Sequence, residues 1–192
     1  MGRLADLIFF RNHRLCPRWM CFTFDNGLRR LVQNPDRIVR AYVRGGDTVL
    51  DVGPGIGYFT IPMAKIVGDR GRVIAVDIQQ AMLDGIQKRA VRAQVADRVS
   101  LHLASPDSLN VTAKADFILA FWMAHEVPDQ HRFFTQLRAV LKENGKFLLA
   151  EPGLHVSKKQ FEAQIARAQK AGFLLHSRPG VNLSLAALFS AG

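Results

Sequence analysis

Thr48-Val49-Leu50-Asp51-Val52-Gly53-Pro54-Gly55-Ile56-Gly57-Tyr58-Phe59 carries an apolar run directly into three alternate glycines and then into a segment of helical character. By pattern it is a strand, a tight turn and a helix start. Val49, Leu50 and Val52 suit a strand buried on both faces, and Asp51 interrupts the run near its C-terminal edge. Glycine leaves room where a Cβ would hold a ligand away from the backbone. The outline is that of a nucleotide-cofactor site.

Two details narrow the cofactor. The dinucleotide fingerprint G-x-G-x-x-G asks for a glycine at 58, where this chain has Tyr58, and no Gly-Lys-Ser/Thr follows to make a phosphate-cradling loop. A carboxylate beside the turn repels a pyrophosphate, whereas it accepts a hydrogen bond from a cationic or amine-bearing ligand. A second landmark, Gly71-Arg72-Val73-Ile74-Ala75-Val76-Asp77-Ile78, is another apolar strand ending in a carboxylate, which suits the two hydroxyls of a ribose.

The pair D-V-G-x-G-x-G at 51–57 and V-I-A-V-D at 73–77 resembles the class I S-adenosylmethionine-dependent methyltransferases, and the order of segments is similar to theirs over roughly residues 35–189. The resemblance implies an α/β fold, a three-layer Rossmann-like arrangement around a seven-stranded, mostly parallel sheet of order 3-2-1-4-5-7-6 with strand 7 antiparallel. It implies S-adenosylmethionine as cofactor. Carried over by motif, Asp51, Gly53, Gly55 and Gly57 match the part that receives the methionine moiety, and Asp77 the acid that holds the ribose. Ile78 and Met82 would flank the adenine, with Met82 equally suited to a helix core. Ser105 stands where the family often has an acid near the adenine amine, and Asp107 replaces it only if the loop bends back.

The run Phe117 to Asp129 resembles the stretch after the fourth strand in the small-molecule branch, which lines the floor beneath the methyl group, so that Ala120 would touch the cofactor and Phe121 and Trp122 would lie on the substrate side. It lacks the Asn/Asp-Pro-Pro-aromatic tetrapeptide of enzymes that methylate amino groups on nucleic-acid bases or protein glutamine. Leu141 to Pro152 is similar to the family's helix-to-fifth-strand connection. His125 and His155 both follow strands at their expected carboxyl ends, where open α/β sites form, and with Glu126 they are the candidate bases. His125-Glu126 is no zinc signature, because Asp129 stands where a second histidine would be, and no metal is expected.

Around this centre, Asn34-Pro35-Asp36 reads as a helix start with Asn34 as N-cap and Pro35 at the first position. Helices are expected over 59–67, 81–96, 129–141 and 157–171, the last opened by a capping box from Ser157 to Gln160. Strands are expected over 99–103, 116–122, 146–150, 173–176 and 183–189. Residues 1–33 precede the first strand and contain Phe9, Phe10, Trp19, Phe22 and Phe24. Such a segment is read as an aromatic-rich lid or packing segment, with Trp19 and Phe22 on the acceptor side, and residues 34–192 as the cofactor-binding domain.

At 192 residues the chain is long enough for one substantial core, and 48% hydrophobic content is ordinary for a globular protein. The Leu4–Phe10 apolar run is too short for a secretory core or for a span of about 20 residues, so no membrane association is expected. Cys16 and Cys21 form no disulfide framework, which makes a reducing cytoplasm the default setting. The formal charge of +10 comes from arginines scattered along the chain, which favours anionic partners or steering of a negatively charged substrate. The function expected is methyl transfer to a small-molecule acceptor. RNA methylation is the enzymatic alternative, favoured by charge, and a non-catalytic cofactor-binding sensor or assembly protein is the alternative outside enzymes.

Overall fold

After most apolar strands the chain reverses and returns through a helix, and this sets the architecture. The computed structural model describes residues 27–192. The expectations placed on Cys16, Cys21 and the aromatics at 9–24, Trp19 and Phe22 included, lie outside the described residues.

In chain order the elements are α1 (Gly27–Val32), α2 (Pro35–Val39), β1 (Thr48–Val52), α3 (Thr60–Val67), β2 (Arg72–Asp77), α4 (Gln80–Arg92) and β3 (Val99–Leu103). They continue with β4 (Ala115–Phe121), α5 (Gln130–Val140), β5 (Leu141–Pro152), α6 (Lys158–Lys170), β6 (Phe173–Ser177) and β7 (Ser184–Ala191). The strands form one seven-stranded sheet ordered β3-β2-β1-β4-β5-β7-β6. β1 to β5 pair in parallel, and β7 lies antiparallel between β5 and β6. The seven-stranded order with an antiparallel β7 is therefore as the family resemblance implied.

Alternation along each strand divides the core into two layers. Val49, Val73, Phe117, Leu119 and Leu148 pack with Val39, Val43, Met63 and Val67 on one face. Leu50, Ile118, Phe147 and Leu149 pack with Phe134, Leu137, Phe161 and Ile165 on the other. Asp51 shares the parity of Val49, and Asp77 that of Val73, so both carboxyls lie on the α3 side of the sheet.

Local chemistry explains most boundaries. Asn34 accepts the Arg37 N–H at 3.2 Å, and Pro35 opens α2 as read. Ser157 and Gln160 form the reciprocal capping box. Two of the boundaries that differ from the pattern reading shift by four residues or more. Helix α4 stops at Arg92 rather than Ala96, because Gln94 adopts φ of 56° and buried Val95 turns back to bond its N–H to the Ala90 carbonyl. Strand β5 begins at Leu141 rather than Lys146, since Leu141 pairs with Ala115 before the register shifts to Phe117 opposite Lys146.

Phe147 is fully buried, with its ring centroid 5.0 Å from that of Phe173 and 5.5 Å from that of Phe189. Phe147→Ala is expected to cost about 3–5 kcal/mol of stability through lost burial and an unfilled cavity, read as a lower urea midpoint at unchanged slope.

Candidate active site at the carboxyl edge of the sheet

All five parallel strands end at one edge, and the strand order reverses about β1, with β2 on one side and β4 on the other. A cleft at such a switch point is where open α/β sheets bind ligands. The glycine turn lies there. Gly53 donates its N–H to the Val76 carbonyl at 2.9 Å, tying the turn to β2.

Two glycines are needed for different reasons. Gly53 has φ of 64°, and a Cβ on it would stand 2.7 Å from Cγ of Met123, in the loop after β4, so a side chain is excluded by strain and by contact. Gly55 has φ of 55°, but nothing lies within 4 Å of its would-be Cβ, leaving open space over the backbone. Gly57 closes the turn through its N–H to the Pro54 carbonyl at 3.0 Å.

Asp51 is 2% exposed and accepts the Thr60 Oγ1 hydrogen at 2.6 Å. Burial pushes its carboxyl up to about 7, against the lowering effect of the Thr60 bond and with a further push from Asp77. Asp77, 9% exposed, accepts the Gln79 N–H at 2.9 Å. Burial lifts it to about 6 despite the backbone hydrogen bonds of Gln79 and Ile78. Two buried carboxyls that are held towards the neutral form for want of a positive charge suit a cationic ligand. With the uncovered backbone at Gly55, these residues fit S-adenosylmethionine, whose sulfonium and ammonium groups supply that charge.

The remaining expected cofactor residues are placed unequally. Ile78 is 40% exposed at the end of β2, and Leu103, which the motif reading did not single out, is 50% exposed at the end of neighbouring β3. The Ala104 N–H bonds to the Asp77 carbonyl at 3.0 Å, which brings Ser105 to the next position of that loop. Ser105 is exposed and bridges to Ser108, whereas Asp107 pairs with Arg132 on α5 at 3.3 Å. Met82 and Ala120 are buried, at 2% and 0% exposure.

After β4 the chain carries aromatic and acid–base groups to the same edge. Phe121 is 7% exposed and packs 4.4 Å from Phe59. Trp122 takes φ of 61°, uncommon for a bulky residue, and is held by its N–H to the Ala150 carbonyl at 2.7 Å and by Nε1–H to Ser184 Oγ at 2.8 Å. The guanidinium of Arg29 lies 4.2 Å from the Tyr58 ring and 4.5 Å from that of Trp122. Gln33, 1% exposed, donates to the Asn182 carbonyl at 2.6 Å, while the Tyr58 hydroxyl donates to the Gln33 carbonyl at 2.7 Å.

His125 and Glu126 sit in a 3-10 turn, Ala124–Glu126. His125 Nδ1 is 2.7 Å from Oε2 of Glu151, at the end of β5, and its ring lies 5.0 Å from that of exposed His155. Burial lowers the His125 pKa, but the hydrogen bond and charge of Glu151, with a smaller effect from Glu126, more than reverse this, so the net shift is upward. Glu151 escaped the sequence reading, although it stands just before Pro152 at the end of an apolar strand, the same signal that singled out Asp77. Among the described residues no group of three His, Cys, Asp or Glu is arranged to hold a metal, and no helix is long and apolar enough to cross a membrane.

Comparison with known proteins agrees with this fold. Over 150 residues the chain is 30% identical to the ubiquinone/menaquinone biosynthesis C-methyltransferase UbiE of Enterobacter sp. (strain 638), covering 77% of this chain and 53% of that protein. It is 30% identical over 115 residues to the demethylmenaquinone methyltransferase of Symbiobacterium thermophilum, covering 59% of this chain and 46% of the relative. The chain spans about half the length of the curated relatives it matches. Its fold superposes on the crystal structure of a SAM dependent methyltransferase from Aquifex aeolicus with a TM-score of 0.82 at 18% identity, over 93% of this chain and 100% of that one. A family model described as a methyltransferase domain matches residues 44–177, and with the sheet order and glycine turn already in place, the chain belongs to the methyltransferase-domain family.

Proposed function

We propose that this chain transfers the methyl group of S-adenosylmethionine to a small-molecule acceptor. The observation that carries the reading is the buried carboxyl pair Asp51 and Asp77, beside a turn whose backbone is uncovered at Gly55. In this reading Gly53, Gly55 and Gly57 receive the methionine moiety and Asp77 holds the ribose hydroxyls. Ile78, with Leu103, offers apolar surface to the adenine, and the Ser105 loop closes that end. Met82 and Ala120 act from behind, as packing.

When bound, the cofactor supplies a methyl group that is already electrophilic, so the protein's work is alignment and exclusion of water. Phe121 and Trp122 wall the acceptor side. Arg29 and Gln33, the described end of the N-terminal segment, close it against Trp122 and the start of β7. The two relatives, a C-methyltransferase of ubiquinone/menaquinone biosynthesis and a demethylmenaquinone methyltransferase by name, support a small organic acceptor. The charge of +10 supports one that carries negative charge.

Methyl transfer is tested by a screen of thiol, amine, hydroxyl and RNA acceptors, with S-adenosylhomocysteine as the common product. The expected outcome is turnover of a small molecule and none of RNA, and turnover of RNA alone would replace the reading. Asp77→Ala is expected to weaken S-adenosylmethionine binding by about 1–3 kcal/mol in calorimetry while the protein stays folded.

The raised carboxyls also set the pH dependence. A carboxyl whose folded pKa lies above its ordinary value gives stability that is complete below about pH 4 and is lost as pH rises through the folded pKa. Without cofactor, thermal stability should therefore fall between about pH 4 and 7, and Asp51→Asn should flatten that slope. A cationic ligand favours the ionised carboxyls, so its binding releases protons. Affinity for S-adenosylmethionine should rise as pH increases from 5 to about 7 and then level off, as read by calorimetry in buffers of different ionisation enthalpy.

A further inference from the structure

Three aromatic rings converge on one guanidinium. Arg29 Cζ lies 4.2 Å from the ring centre of Tyr58, 4.5 Å from that of Trp122 and 5.8 Å from that of Phe121. All three distances fall in the range over which an aromatic face attracts a cation, and rings gathered in this way are a means of recognising ammonium groups. Here the chain supplies the cation itself. The frame that holds it is neutral. Arg29 Nε donates to Gln33 Oε1 at 3.0 Å, and Gln33 Nε2 donates to the Asn182 carbonyl at 2.6 Å and to Ser184 Oγ at 3.1 Å. Ser184 Oγ also accepts the Trp122 Nε1–H at 2.8 Å, and the Tyr58 hydroxyl donates to the Gln33 carbonyl at 2.7 Å. Two of the rings and the cation therefore share the anchor formed by Gln33 and Ser184.

The ring box stands against the glycine turn. Tyr58 follows Gly57 directly, and Trp122 is followed by Met123, whose side chain fills the space that a Cβ on Gly53 would need. A clamp whose only task was to hold α1 down would bury the leucine and valine of that helix and leave its arginine in water. The opposite is found: Leu31 and Val32 are exposed, while Arg29 is half-buried among the rings.

We propose that Arg29 is a specificity-determining residue, which fills the Tyr58–Phe121–Trp122 box, excludes acceptors that carry an ammonium group and favours acceptors that carry a carboxylate. The proposal rests on the methyl-transfer reading and adds to it the charge class of the acceptor and the residue that sets it. Exclusion follows from occupancy and from like charge. Attraction follows from a positive charge held in a partly desolvated place, where it is screened less than in open water. In the same reading the positive charge of the cofactor is answered by Asp51 and Asp77 on β1 and β2, so the charge of Arg29 bears on the acceptor.

The test uses the full chain loaded with S-adenosylhomocysteine and compares three probes of similar shape by calorimetry: phenylacetate, phenylacetamide and benzyltrimethylammonium. Wild type is expected to bind phenylacetate about tenfold or more tighter than the amide, with the difference shrinking as salt is raised, and to reject the cation. Arg29→Lys, which keeps the charge, should keep that order. Arg29→Met, which covers the rings without charge, should bind acid and amide alike, and Arg29→Ala, which empties the box, should gain binding of benzyltrimethylammonium. In turnover, Arg29→Met should raise KM for a carboxylate-bearing acceptor at nearly unchanged kcat and leave KM for its neutral amide as it was. Equal binding of the three probes by wild type, or binding of none, overturns the proposal, as does an unchanged order in Arg29→Met. Loss of S-adenosylhomocysteine affinity in Arg29→Met assigns the arginine to the carboxylate of the cofactor and overturns it too. A purely structural clamp would lower the melting temperature of the variants and leave the order of the probes untouched. Should Arg29→Ala fail to fold, the order in wild type and Arg29→Lys still decides. Failure of the methyl-transfer reading shows separately, as absence of S-adenosylmethionine binding by wild type.

Discussion

Parallel pairing obliges the chain to return to the same end of the sheet after each strand, so the carboxyl ends of β1 to β5 are collected at one edge. The candidate site depends on that constraint. Asp51 and the glycine turn end β1, Asp77 ends β2, Trp122 follows β4 and Glu151 lies near the end of β5. In sequence, Asp51 and Glu151 are separated by most of the domain. Their assembly at one edge follows from strand direction and sheet order alone.

The edge is divided electrostatically. On the β1–β2 side, two buried carboxyls lie on the α3 face and are held partly neutral by burial. On the β4–β5 side, a buried carboxylate on the opposite face is matched by an imidazole whose proton affinity it raises. A cationic ligand relieves the first pair, whereas the second holds its charge balance internally. The two halves thus differ in charge balance, the first lacking a positive group and the second containing its own.

Between them, where the halves meet, the backbone takes a conformation that glycine adopts freely and tryptophan does not. Gly53 and Trp122 both have positive φ, and the loop after β4 brings Met123 into the space a Cβ at 53 would fill. The strain at Trp122 is held by bonds to β5 and β7, through the Ala150 carbonyl and Ser184 Oγ. The same Ser184 accepts from Gln33, so the described end of the N-terminal segment is fastened to β7 beside Trp122.

Much of this was legible in the chain. Local signals needed no tertiary information: the apolar run into Gly53-Pro54-Gly55-Ile56-Gly57, the Asn34-Pro35 start, the Ser157–Gln160 box and the acidic end at Asp77. The order of the sheet came through family resemblance, since periodicity tells which residues share a face but not which strands are neighbours. Helix α4 ended early because Val95 found a place in the core, and β5 began early because Leu141 found Ala115 opposite it. Both are decisions of packing, invisible to a window of sequence. The burial of Met82 and Ala120, and the turning of Asp107 to Arg132 on α5, were of the same kind. The sequence by itself determined the elements, the glycine turn and the chemistry available at each strand end, because these rest on backbone conformation and local hydrogen bonds. Only the tertiary structure decided that Glu151 faces His125, because residues 26 apart meet through the pairing of β4 with β5, and no local pattern encodes which side chains two neighbouring strands bring together.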